Sequence, residues 1–113
     1  MRSFVLILCL MGSVVGCTKN QSTSSEPAPS SAEALVARGK VVYQTTCIAC
    51  HNADPSKDGG VGPAVAGASR ELLESRVLTS KYPAGYKPKR ETNLMPQFPH
   101  LKGDIEALTA YLN

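Results

Sequence analysis

Tryptophan is missing from this chain of 113 residues, and the other aromatics are two Phe and four Tyr, one of them Phe4 near the start. So few rings bury little area per side chain. Domains below roughly 80 residues ordinarily add a disulfide, a metal or a bound group to become stable. Alternating β-branched strand patterns are missing from residues 32–113, which excludes a fold built on a sheet. A strong charge of either sign is missing too. The net charge is +3, and because Arg2 is the one charge of the first sixteen residues, the remainder carries 11 Lys and Arg against 9 Asp and Glu. That balance gives no support to nucleic-acid binding. The length leaves room for one small domain.

What is present begins with a leader. Residues 1–16 read MRSFVLILCLMGSVVG, one Arg followed by about a dozen apolar residues, short of the ~20 that a spanning helix requires. The pattern is that of a secretory signal peptide. Its end, Val14-Val15-Gly16-Cys17, resembles the bacterial lipobox, which implies that Cys17 is lipidated and becomes the mature N-terminus. At about 0.8 kcal/mol per buried methylene, two acyl chains or more hold a protein at a membrane. Residues 17–31 form the lipidated Cys and a linker, since TKNQSTSSEPAPSS has no apolar side chain larger than Ala and cannot offset its ordering entropy. Fourteen such residues span ~20 Å on average and ~45 Å at full stretch. The folded domain is expected over residues 32–113.

Cys9 lies in the leader and Cys17 in the lipobox, so no pair remains for a structural disulfide beyond Cys47 and Cys50, with His51 directly after them. Cys47-Ile48-Ala49-Cys50-His51 is C-x-x-C-H, the attachment signature of c-type haem, in a chain expected to be exported. Two thiols at this spacing can add to the two vinyl groups of one haem, and the next imidazole then comes up beneath the iron. A structural zinc site wants four N or S ligands, and outside the motif only His100 and Cys17 would remain. A thioredoxin-type pair would follow a strand and open a helix, and no such strand is legible.

Three helices can be read. Ser30-x-x-Glu33 is a capping box ahead of Leu35, Val36, Val42 and Tyr43, so a helix of about a dozen residues leads toward Cys47. Ser69 caps a second run over residues 69–80, through Leu72, Leu73, Arg76 and Val77, with Pro83 and Gly85 beyond it. From Asp104 a third places Ile105, Leu108 and Leu112 on one face, with acids in its first turn.

Taken in order, these motifs resemble the small class I c-type cytochromes across residues 32–113. The resemblance implies an all-α cytochrome c fold, three to four helices wrapped around one covalently bound haem c. It implies that Gly39, four residues before Tyr43, lets the first helix cross the last near Tyr111. It implies that the carbonyl of Pro63, in Gly62-Pro63, accepts the His51 Nδ1 proton and fixes the ring plane. The sixth ligand would be Met95, which precedes Pro96 and lies 44 residues past His51, with His100 as its competitor. No Trp is available for a haem propionate, so Tyr82, Tyr86 or loop amides are expected to serve.

With His51 and Met95 both filling axial positions, no coordination site stays open for substrate. The expected function is therefore that of a membrane-anchored one-electron carrier between extracytoplasmic redox partners, and not an enzyme by itself. A haem subunit of a larger oxidoreductase complex and a haem-based gas or redox sensor are the alternatives. The expected location is the periplasmic side of a bacterial membrane, inner or outer being left open. Lys81, Lys87, Lys89 and Arg90 put four positive charges just before Met95, where they could steer a redox partner with an acidic docking face.

Overall fold

In the computed structural model, which describes residues 30–113, Ser30 opens the first helix. Its hydroxyl accepts from the Glu33 amide at 3.2 Å while the Glu33 carboxylate accepts from the Ser30 amide at 2.7 Å, the full capping box. Helix α1 runs Ser31–Val42. It widens into one π-helical turn over Tyr43–Cys47, which ends on the first cysteine of the C-x-x-C-H motif. Local widening of this kind occurs where side chains must be re-aimed. Helix α2 runs Arg70–Thr79, with the Ser69 hydroxyl accepting from the Leu72 amide as the sequence leads one to expect. It ends where the expected run over residues 69–80 ends, at Ser80, which turns left-handed at φ 58°.

The last helical segment starts earlier than Asp104. A 3-10 turn over Pro99–Asp104 runs straight into α3, Ile105–Leu112. Pro99 has no amide proton to leave unsatisfied and a φ already suited to a first turn. Asp104 consequently caps nothing through its side chain. It accepts instead from Arg38 Nε at 2.8 Å and Nη2 at 3.1 Å, tying α1 to the start of α3. All regular structure among the described residues is helical, so the fold is all-α. The leader, Cys9, Cys17 and the linker up to residue 29 lie outside the described residues.

The most extensive packing is α1 against α3, and Gly39 is the reason the two can meet. A Cβ there would collide with the Ala107 carbonyl and stand 2.8 Å from Tyr111 Cβ. The rings of Tyr43 and Tyr111 close the same crossing at 5.5 Å. Val42, Tyr43, Leu73, Ile105, Leu108 and Leu112 belong to the buried cluster that joins the three helices. The C-terminal end of α3 is fastened to the loop before α2 by Asn113 Nδ2 on the Ala68 carbonyl at 3.1 Å and the Gly67 amide on the Leu112 carbonyl at 2.8 Å. Two long connections, one on each side of α2, are left to build a site.

Candidate cofactor site

A cavity of about 580 Å³ lies among these connections, α2 and α3. Such a volume suits a ligand of drug size or larger. Cys47, Cys50 and His51 enter its wall together with Gly62 and Pro63 from the following loop, and Met95 joins from the connection after α2. Leu72, Leu73, Val77, Phe98, Leu108 and Leu112 supply apolar lining from the helices and the residue before the last turn.

His51 is held by its own loop. Its Nδ1 stands 2.8 Å from the Pro63 carbonyl. A carbonyl can only accept, so Nδ1 is the donor, and the tautomer this selects in a neutral ring is the one with the lone pair on Nε2. Gly62 permits this approach, since a Cβ would lie 2.5 Å from His51 Nδ1 and 2.8 Å from Nε2. The loop is closed by the Gly62 amide on the Cys50 carbonyl at 2.9 Å and by the Tyr43 hydroxyl, which donates to the Asn52 carbonyl at 2.6 Å. Burial pushes the Tyr43 phenol up to about 12, so the hydroxyl keeps its proton at neutral pH. Burial likewise pushes the Cys47 thiol up to about 11, the opposite direction from the lowered thiol of a thioredoxin-type redox pair.

Met95 is half-buried against the core, and its carbonyl accepts from the Ser80 hydroxyl at 2.8 Å. His100, by contrast, is exposed, faces the Phe98 ring edge-on at 6.1 Å, and forms no part of the cavity wall. Of the two side chains considered for a sixth ligand, Met95 is thus the one that shares a cavity with His51.

Of the cations of the wall, Lys89 and Arg90 belong to the run already visible before Met95, whereas Arg76 gave no such signal. Arg76, Lys89 and Arg90 line the cavity and no Asp or Glu does. Lys89 Nζ donates to the Ala64 carbonyl at 2.8 Å. Arg90 donates to the Val61 carbonyl at 2.9 Å and the Gly59 carbonyl at 3.3 Å, and lies 3.5 Å from the Asp58 carboxylate. Within the four-cation run, Lys89 and Arg90 bind the Met95 segment to the loop that supports His51, and Lys81, Lys87 and Lys89 are exposed.

Arg76 is 8% exposed, the one charged side chain buried among the described residues. Its guanidinium lies 4.1 Å from the Tyr82 ring centroid and donates to the Ser80 carbonyl, with no carboxylate paired to it. A buried cation without a counter-charge is costly, so a wall with three cations and no acid fits an apolar ligand that carries its own carboxylates. Haem, with two propionates, has that character. Cys47, Cys50, His51 and Met95 would supply its sulfur and nitrogen partners, and Arg76 with Tyr82 and Tyr86, which also line the cavity, its polar end. The residues present fit the group. Position within α2 gave no signal of this for Arg76, whose place in the pattern was that of an amphipathic helix.

The fold and the cavity together fit a single class, the c-type cytochrome domain, which carries haem c covalently, passes electrons between redox partners and is generally extracytoplasmic. Residues 34–112 match the family described as cytochrome c oxidase, cbb3-type, subunit III, and the chain belongs to that family. No individually curated protein matches it. No helix among the described residues is long and apolar enough to cross a membrane.

Proposed function

We propose that this protein is a mono-haem, one-electron carrier tethered to the outer side of a bacterial membrane through acyl chains on Cys17. In this reading Cys47 and Cys50 hold the porphyrin, His51 and Met95 are the axial ligands, and the chain is not an enzyme by itself. A bound haem supplies one-electron ferrous/ferric chemistry, and the protein supplies burial, ligands and docking. The observation that carries the reading is the convergence of the C-x-x-C-H residues and Met95 on one cavity wall. The Nδ1 contact to Pro63 supports it further, because it fixes the ring of His51 and leaves Nε2 as the nitrogen turned to an iron ligand's role.

Intact mass spectrometry of the exported protein tests the core of the reading. One covalent haem per chain is expected, resistant to acid-acetone and lost on Cys47→Ser with Cys50→Ser. A chain without haem would overturn it. Met95→Ala should abolish the sulfur-to-iron charge-transfer band and open the reduced protein to carbon monoxide. Cys17→Ser should release the protein from washed membranes.

The description of the matched family favours a second reading, in which the domain serves inside an oxidase complex. Native electrophoresis of a mild detergent extract separates the two. A free carrier migrates alone, whereas a subunit co-migrates with oxidase activity.

A further inference from the structure

The C-terminal end of α2 and the segment that carries Met95 are stitched together. The Val77 carbonyl accepts from the Phe98 amide at 2.7 Å, the Thr79 carbonyl from Gln97 Nε2 at 3.2 Å, and the Ser80 hydroxyl donates to the Met95 carbonyl at 2.8 Å. Only the last of these reaches Met95 itself. Ser80 is also the one residue other than glycine with positive φ among the described residues, at φ 58° and ψ 14°. Glycine takes this helix-ending conformation freely, and an L side chain does so rarely. A plain end to α2 would be served at least as well by glycine, and it has no use for a hydroxyl.

The hydroxyl, moreover, is aimed. The Ser80 amide donates to the Arg76 carbonyl at 3.1 Å, and the Ser80 carbonyl accepts from the buried Arg76 guanidinium. Both main-chain groups of Ser80 are thereby fixed to the last turn of α2, and Oγ is left facing the Met95 carbonyl. On the other side of Met95, Lys89 and Arg90 pin the preceding stretch of the connection to the loop that supports His51. Between these attachments Met95 has a single direct side-chain tether, and it is Ser80.

We propose that Ser80 is a positioning residue for Met95: held in a left-handed turn, it fixes the Met95 main chain to α2 so that the thioether stays presented to the cavity. This rests on Met95 being the axial ligand. A hydrogen bond of this kind governs how often the sulfur swings away, and hence how fast an exogenous ligand replaces it. A mere helix cap would govern only the stability of the fold.

Ser80→Gly removes the hydroxyl and relieves the backbone, so the two roles move in opposite directions. In the full-length, haem-loaded protein, Ser80→Gly should keep or raise the thermal midpoint, yet imidazole added to the ferric form should displace the thioether roughly threefold to tenfold faster, the factor one net hydrogen bond represents. Thr79→Ala removes a neighbouring hydroxyl that donates to the Ser75 carbonyl and does not touch Met95, and it should leave the displacement rate alone. A Ser80→Gly rate equal to that of the unaltered protein, or a Thr79→Ala rate raised as much, overturns the role of Ser80. A charge-transfer band that survives Met95→Ala overturns the axial reading, and the role of Ser80 with it.

Discussion

A methyl group added at Gly62 would stand 2.5 Å from His51 Nδ1 and 2.8 Å from Nε2, closer than real carbon contacts come. Neither the loop nor the ring can yield without breaking the contact between Nδ1 and the Pro63 carbonyl. Gly62→Ala is therefore expected to cost roughly 1–3 kcal/mol of stability and to lower the haem-to-protein ratio of purified material, which absorbance and a protein assay measure together. Tyr43 works on the same loop from the opposite side. It is 1% exposed and its hydroxyl donates to the Asn52 carbonyl, so Tyr43→Phe should cost about 1–3 kcal/mol by leaving that acceptor without its partner. The phenol also sets a pH limit. Burial raises it from 10.0 to about 12, and the unfolded chain therefore ionises first. The stability it contributes is complete below 10.0 and drains away as the pH climbs toward about 12. Denaturant melts across that range should show a shallower alkaline decline in Tyr43→Phe than in the unaltered protein.

Among the elements, helix starts were legible because their signals are local. Ser30 with Glu33, and Ser69 three residues before Leu72, satisfy amide protons a single turn away. The irregular turns were not legible. The π-helical turn at Tyr43–Cys47 depends on burying Tyr43 against Tyr111, some seventy positions along the chain. The stop at Ser80 agrees with the end of the helical spacing, whereas the left-handed turn there and its ties to Arg76 and Met95 had no sequence signal. The cavity wall was half readable in the same sense. C-x-x-C-H announces itself, whereas the burial of Arg76 follows from what α2 packs around. Gly39 shows how tertiary context reverses a local preference. Gly→Ala in an isolated helix gains about 1 kcal/mol, but at Gly39 the new Cβ would collide with the Ala107 carbonyl of α3. Gly39→Ala is expected to lose roughly 1–3 kcal/mol instead. A melt that shows stabilisation would mean that α1 and α3 have room to spare at their crossing.

For the whole molecule, the question is where a redox partner lands. Lys81, Lys87 and Lys89 are exposed on the Met95 side, but Lys89 and Arg90 are committed to carbonyls of the loop that supports His51, so Lys81 and Lys87 are the exposed cations of the run without such a tie. Two apolar side chains of the cavity wall are exposed as well, Leu94 at 69% and Val61 at 42%. A partner with an acidic rim around an apolar centre would match that surface, the charges guiding approach and the apolar contact closing it. Exposed charges are screened once the Debye length shrinks to about 8–10 Å, so the bimolecular electron-transfer rate should fall as salt rises. Lys81→Glu with Lys87→Glu should slow it several-fold at low salt, leave the absorption spectrum unchanged and flatten the salt dependence. Lys89→Ala with Arg90→Ala makes the contrast, because it should lower the thermal midpoint and disturb the charge-transfer band through the Met95 segment. Stopped-flow oxidation by the physiological partner over a salt series reads both pairs. A rate flat in salt and unmoved by the Lys81 and Lys87 reversals would place the docking surface elsewhere on the domain.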